Sequence, residues 1–177
     1  FSGNCLNSLN VAKGATSEFN LEITTLDNEP ANAVGTFLTL VGKSSLNNNY
    51  ETSHDFRVIT NPTYLLSVET PSDVKTGASG DTIPFQITVK NMGNDVDYVN
   101  LPSPALPSGW TGTYTESSFT LQPLESKTVY LNVKVPTNVF GGNNIITSKV
   151  SSDQSGQMST IMFTVFVEEK ADIDVLA

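Results

Sequence analysis

Two residues limit the chemistry open to this chain: His54 is its only histidine and Cys5 its only cysteine. A Ser–His–Asp or Cys–His centre needs an imidazole beside the nucleophile to take its proton. His54 stands next to Asp55 in a stretch that reads as the edge of a strand, the ordinary setting of a surface histidine. No His/Cys spacing matches a zinc site. Gly77-Ala78-Ser79-Gly80 carries glycines, but no lysine and helix follow, so it is not a phosphate loop. The sequence points to no enzyme and no catalytic residue. What remains is acidic. Asp95 and Asp97 are separated by one residue and share a face if their stretch is a strand. With Asp73 or Asp81 they offer the oxygen ligands that calcium takes. Glu168, Glu169, Asp172 and Asp174 form a second acidic group at a module junction, where an ion would stiffen the joint. The competing reading is solvated strand and linker acids, and no cofactor other than calcium is expected.

The elements that must position these groups follow from a repeat. Leu9, Val11, Phe19, Leu21 and Ile23 line up with Phe119, Leu121, Val129, Leu131 and Val133. After a loop that differs by three residues, Leu38 meets Ile145, Phe56 meets Phe163 and Val58 meets Val165. Leu66 and Val68 match Ile173 and Val175 in turn. A period of about a hundred residues is the signature of stacked modules. It divides the chain into residues 1–61, the C-terminal part of one module; 62–168, a complete module; and 169–177, the first strand of a following one. Pro62 fixes its own φ and keeps Asn61 out of helical space, which marks the joint.

Within the complete module, apolar and polar residues alternate. Ile83, Phe85, Ile87 and Val89 interleave with Pro84, Gln86 and Thr88, and Val129, Leu131, Val133 and Val135 interleave with Tyr130, Asn132 and Lys134. Period two with turn residues between the runs predicts an all-β fold of tandem immunoglobulin-like antiparallel β-sandwich modules. Trp110 is expected between the sheets. The last strand turns Ile161, Phe163, Val165 and Val167 inward and leaves Met158, Met162 and Phe166 outward as a candidate contact surface. In the partial module the expected strands are 9–11, 18–25, 36–41 and 54–60. With its front strands missing, that half has open edges and an uncovered apolar face.

The totals narrow the partners. The chain has 177 residues, 15% of them charged, and a net charge of −9. A phosphate backbone would be repelled, so nucleic acid is excluded as a natural partner. No apolar run is long enough to insert in a membrane. Uncharged polar strand faces and an odd cysteine suit an extracellular or cell-surface setting. No Asn-X-Ser/Thr acceptor occurs, since Asn61 precedes proline. The start at Phe1 leads us to expect a segment of something longer.

Several motifs occur in a telling order: Val89-Lys90-Asn91-Met92-Gly93-Asn94, Leu106-Pro107-Ser108-Gly109-Trp110, Leu121-Gln122-Pro123-Leu124-Glu125-Ser126, Val135-Pro136 with Gly142, and Phe163-Thr164-Val165-Phe166-Val167. With these the complete module resembles the immunoglobulin-like repeat of archaeal and bacterial surface-layer proteins, a CARDB-like module. The resemblance covers 64–168 and half of it 1–60. Asn144 departs from the pattern, which has an aromatic there. The resemblance implies a structural segment of a cell-surface assembly (layer, sheath or filament) that associates with neighbouring copies or modules. One alternative is a spacer or binding module of a secreted glycoside hydrolase or adhesin, although few aromatics are placed to stack on sugars. Another is a filament subunit joined by strand donation from residues 171–176.

Overall fold

The computed structural model describes residues 2–5, 8–26, 29–47 and 49–168. The chain divides into two compact units, Phe1–Asn61 and Pro62–Ala177. The described residues form thirteen strands and no helix. The expected first strand of a third module, 169–177, lies outside them.

The first unit is two separate ladders. Strands β1 (Ser2–Asn4) and β2 (Glu22–Thr24) pair antiparallel, as do β3 (Asn32–Lys43) and β4 (Glu51–Thr60). The hairpin register breaks between Asn32 and Thr36, where Gly35 sits at φ 81° and donates its N–H to Asn32 Oδ1 at 2.9 Å. A left-handed residue at a bulge is most cheaply glycine. Beyond the bulge, Leu38, Leu40, Phe56 and Val58 are turned to one side, yet each is only half-buried, and no described side chain of this unit is fully buried. The expected strand at 9–11 does not form, and the one expected over 18–25 shrinks to β2. In the second unit the matching segment pairs with a strand for which the first unit offers no equivalent among its described residues.

The second unit is a complete sandwich. Its strands are β5 (Leu66–Glu69), β6 (Val74–Gly77), β7 (Thr82–Asn91), β8 (Asp97–Asn100), β9 (Thr111–Tyr114), β10 (Ser118–Leu121), β11 (Ser126–Lys134), β12 (Gly142–Ser152) and β13 (Met158–Val167). One sheet runs β5-β7-β11-β9 and the other β10-β8-β12-β13-β6. The first order is the A-B-E-D sheet of an immunoglobulin domain, and β8, β12 and β13 stand as its C, F and G strands. Two features were not expressed in the sequence pattern. Strand β6 pairs parallel with β13. The consecutive strands β9 and β10 belong to opposite sheets, one against β11 and the other against β8.

Alternation puts one row of each sheet into the core. Phe85, Ile87, Val89, Leu131, Val133, Ile146, Phe163 and Val165 are all fully buried, and Trp110 packs with them. Each such side chain contributes roughly 1.5–3 kcal/mol by leaving water. Phe85 and Phe163 stack across the sheets at 4.4 Å between ring centroids. Burial also corrects the repeat alignment. The cross-strand pair Leu38 and Phe56 has its equivalent in Ile146 and Phe163, not in Ile145 and Phe163. Ile146 is 0% exposed and Ile145 61%, so the inward apolar position is Ile146.

A buried side-chain contact joins β9 to β12 across the two sheets. Tyr114 of β9 shares a 2.8 Å hydrogen bond with Ser148 Oγ of β12, and Ser148 is fully buried. Burial raises the Tyr114 pKa above its usual value near 10, and the bond to Ser148 opposes this in part. A phenol whose folded pKa lies above its unfolded one contributes stability that is complete below about pH 10 and is lost as pH rises through the folded value. The melting temperature of Tyr114→Phe should therefore fall less steeply than that of the parent between about pH 9.5 and 11.5, as read by circular dichroism.

Candidate functional site

The residues that the sequence singled out for chemistry are dispersed. His54 lies on β4 opposite Leu40 and is exposed. Its neighbour Asp55 is turned to Thr39, whose hydroxyl donates to Asp55 Oδ1 at 2.6 Å. Cys5 is a free, exposed thiol. Cys5 and His54 both line an open cleft of about 390 Å³, with Leu9, Phe19 and Leu40, but among the described residues no hydrogen bond joins them.

Asp95 and Asp97 do not act as a pair on one strand face. Asp95 lies in the turn before β8, and both its oxygens are occupied: Oδ1 accepts from the Val96 N–H at 2.7 Å and Oδ2 from the Tyr64 hydroxyl at 3.2 Å. Asp97 begins β8 and is fully buried. Its Oδ1 accepts from Ser152 Oγ at 2.8 Å, and its Oδ2 has no partner. The reason is phase: Asp97, Val99 and Leu101 are the inward row of this segment, and the strand starts only at Asp97. Partial burial raises the Tyr64 pKa, and the nearby Asp95 and Asp97 carboxylates add to it. Asp81 Oδ2 accepts from the Ala78 N–H at 2.8 Å within its own turn, while the Asp73 carbonyl accepts from the Thr164 N–H at 2.7 Å. Glu168 is exposed. Glu169, Asp172 and Asp174 fall outside the described residues. Among the described residues no three acidic, histidine or cysteine side chains converge at a spacing that would hold a metal.

The sequence motifs turn out to be a fastening. Asn91 Nδ2 donates to the carbonyls of Asp95 (2.7 Å) and Leu121 (3.1 Å), and Asn91 Oδ1 accepts from the Gly93 N–H at 2.8 Å. Asn94 Oδ1 accepts from both the N–H (2.7 Å) and the hydroxyl (3.0 Å) of Thr63. The Asn91 main chain bonds to Leu124 and Glu125, which places the 121–126 turn on the same point. Leu124 takes a left-handed φ of 64° to make this bond. The 89–94 motif thus anchors the start of its module, and its role is architectural.

The outward face of β12 and β13 has a different character. Met158, Met162 and Phe166 are exposed there, as the alternation of β13 requires, with Met162 at 67%. The structure adds three residues that the sequence reading did not place on this contact surface. Ile145 on β12 faces Thr164 across the ladder, Val74 on β6 sits beside the same threonine, and Tyr98 points outward from β8. The signal for Ile145 was present in the alternation of β12, but Val74 needed the parallel pairing of β6. Within its strands the other sheet exposes Tyr130 as its one large apolar side chain among the described residues, while Leu65 and Met92 are exposed just past the ends of β5 and β7. Position for position, the first unit shows a similar pattern: Phe37 and Ile59, the equivalents of Ile145 and Phe166, are exposed as well.

No protein-family model matches the chain, and no curated protein matches it. Among solved structures the chain is similar to a family 123 glycoside hydrolase from Clostridium perfringens, with a TM-score of 0.48 and 12% identity over 60% of this chain and 28% of that one. It is also similar to a FixG-related protein from Vibrio parahaemolyticus, with a TM-score of 0.46 and 10% identity over 59% of this chain and 96% of that one. A third is alpha-2-macroglobulin from Escherichia coli, with a TM-score of 0.44 and 15% identity over 60% of this chain and 17% of that one. The matched stretch spans little more than a quarter of the hydrolase. Likenesses this distant transfer no activity to the chain.

Proposed function

We propose that this chain is a structural, non-catalytic segment of an extracellular repeat protein. Its modules, which resemble the immunoglobulin-like repeats of surface-layer proteins, stack end to end and associate laterally with neighbouring copies in a cell-surface layer, sheath or filament. The observation that carries this reading is the outward stripe of Val74, Ile145, Met158, Met162 and Phe166 on the five-stranded sheet. Large apolar side chains clustered on one face are costly to leave in water and mark an interaction surface. Lys149 is the only charged residue on the outward rows of β12 and β13, in a chain whose net charge is −9. Two copies meeting here would bring together faces free of acids, whereas most other approaches would oppose like charges.

The test is concentration-dependent sedimentation of the parent, Met162→Glu and Phe166→Glu. The parent should self-associate, and each variant should weaken that association by at least about tenfold, since a desolvated unpaired carboxylate costs well over 1.4 kcal/mol. Unchanged melting temperatures would show that the variants remain folded. A parent that stays monomeric up to millimolar concentration overturns the reading.

A further inference from the structure

The β8–β10 edge of the five-stranded sheet carries a polar cleft that the architecture does not use. In this ladder Tyr98 stands opposite Thr120 and Asn100 opposite Ser118. Directly opposed residues share a face, so these four side chains all project outward, while Val99 and Phe119 between them turn to the core. The loop after β12 joins them through Asp153. Its N–H donates to the Tyr98 carbonyl at 2.9 Å, and its Oδ1 accepts from Asn100 Nδ2 at 2.6 Å. A second fixed pair borders the same space: Lys127 Nζ lies 2.7 Å from Glu116 Oε1 and 4.9 Å over the ring of Phe119. Together these groups line an open cleft of about 420 Å³.

The lining selects the chemistry of an occupant. Tyr98 is 49% exposed and brings an apolar ring into otherwise polar surroundings, whereas the other aromatic of the cleft, Phe119, is buried. The polar groups are held in two pairs, amide with carboxylate and ammonium with carboxylate. Each carboxylate has about four acceptor sites and the ammonium three donors, so both pairs can bond further. An apolar ligand would strip them of water and return nothing. An anion would meet Asp153 and Glu116 in a chain of net charge −9. A neutral pyranose ring meets both demands. Its C–H face covers an aromatic ring, and its neighbouring hydroxyls donate to carboxylates and accept from an amide or ammonium, replacing water bond for bond.

We propose that the β8–β10 cleft binds a neutral saccharide. One sugar ring stacks on Tyr98 and shares adjacent hydroxyls between Asn100 and Asp153, and Glu116 and Lys127 take further hydroxyls. The site does not rest on lateral association. In the order β10-β8-β12-β13-β6 it occupies the opposite edge from β13 and β6, so Met162→Glu should leave sugar binding intact.

The probes are neutral hexasaccharides of glucose, mannose and N-acetylglucosamine, each titrated into the full chain to millimolar concentration and followed by amide NMR. At least one should shift the Tyr98, Asn100, Thr120 and Asp153 amides and leave those of β6 and β13 unmoved. A galacturonate hexamer, equal in length but charged, should shift none of them. Tyr98→Ala should weaken binding at least about tenfold, and Tyr98→Phe, which keeps the ring, should bind within about twofold of the parent. Unchanged melting temperatures would show that both variants remain folded. The proposal is overturned if none of the neutral sugars moves these amides, if Tyr98→Ala binds as well as the parent, or if the galacturonate hexamer binds more tightly than every neutral one.

Discussion

Replacing Phe163 with alanine should destabilise the second unit by about 3–5 kcal/mol, a large part of the 5–15 kcal/mol that holds a domain of this size together. The residue is fully buried, it is stacked on Phe85 at 4.4 Å, and it stands in the row shared with Val165 and Val167. Truncation removes the transfer energy of the ring and leaves a cavity, because the neighbouring strands are fixed by their ladders and cannot collapse into it. Urea unfolding followed by tryptophan fluorescence reads this directly, since Trp110 lies in the same core. The repeat supplies a control. Phe56 occupies the equivalent position in the first unit, but it is only half-buried and faces a cleft. Phe56→Ala should cost about 1 kcal/mol or less. Equal losses at the two positions would mean that the first unit has a packed core after all.

Gly93→Ala should cost about 3 kcal/mol or more, at the upper end of the range for overpacking. A Cβ at Gly93 would run into the main-chain carbonyl of Thr63. A flexible side chain could swing away, but this carbonyl is held in place: it accepts from the Asn94 N–H at 3.1 Å, while the Thr63 N–H is bound to Asn94 Oδ1. The methyl group can fit only if the segment 63–65 lifts from the 91–94 turn, which also breaks the bond from the Met92 N–H to the Leu65 carbonyl. The expected result is a lower unfolding midpoint together with faster amide exchange at Thr63 and Leu66. A variant as stable as the parent would show that the start of the module is not fastened at this turn.

The sequence alone determined the all-β sandwich and the inward rows of β7, β11 and β13. Those properties follow from period-two alternation, which is local and needs no knowledge of neighbours. It also placed Met158, Met162 and Phe166 outward, because the alternation that buries Phe163 must expose Met162. Tertiary structure decided what depends on pairing. The parallel contact of β6 with β13, the divergence of β9 and β10 into opposite sheets, and the failure of 9–11 to form a strand each hinge on which distant segment lies alongside. For Asp97 the alternation was visible, but the start of the strand was not. The turn takes in Asp95 and the strand starts at Asp97, so Asp97 enters the core while Asp95 is bound to Tyr64, and two acids that looked like a pair are separated. The cleft at Phe56 had no local signal beyond the half-match of the repeat. The repeat led us to expect an uncovered apolar face there, but the cleft itself depends on how the two ladders of the first unit pack, which no local pattern encodes.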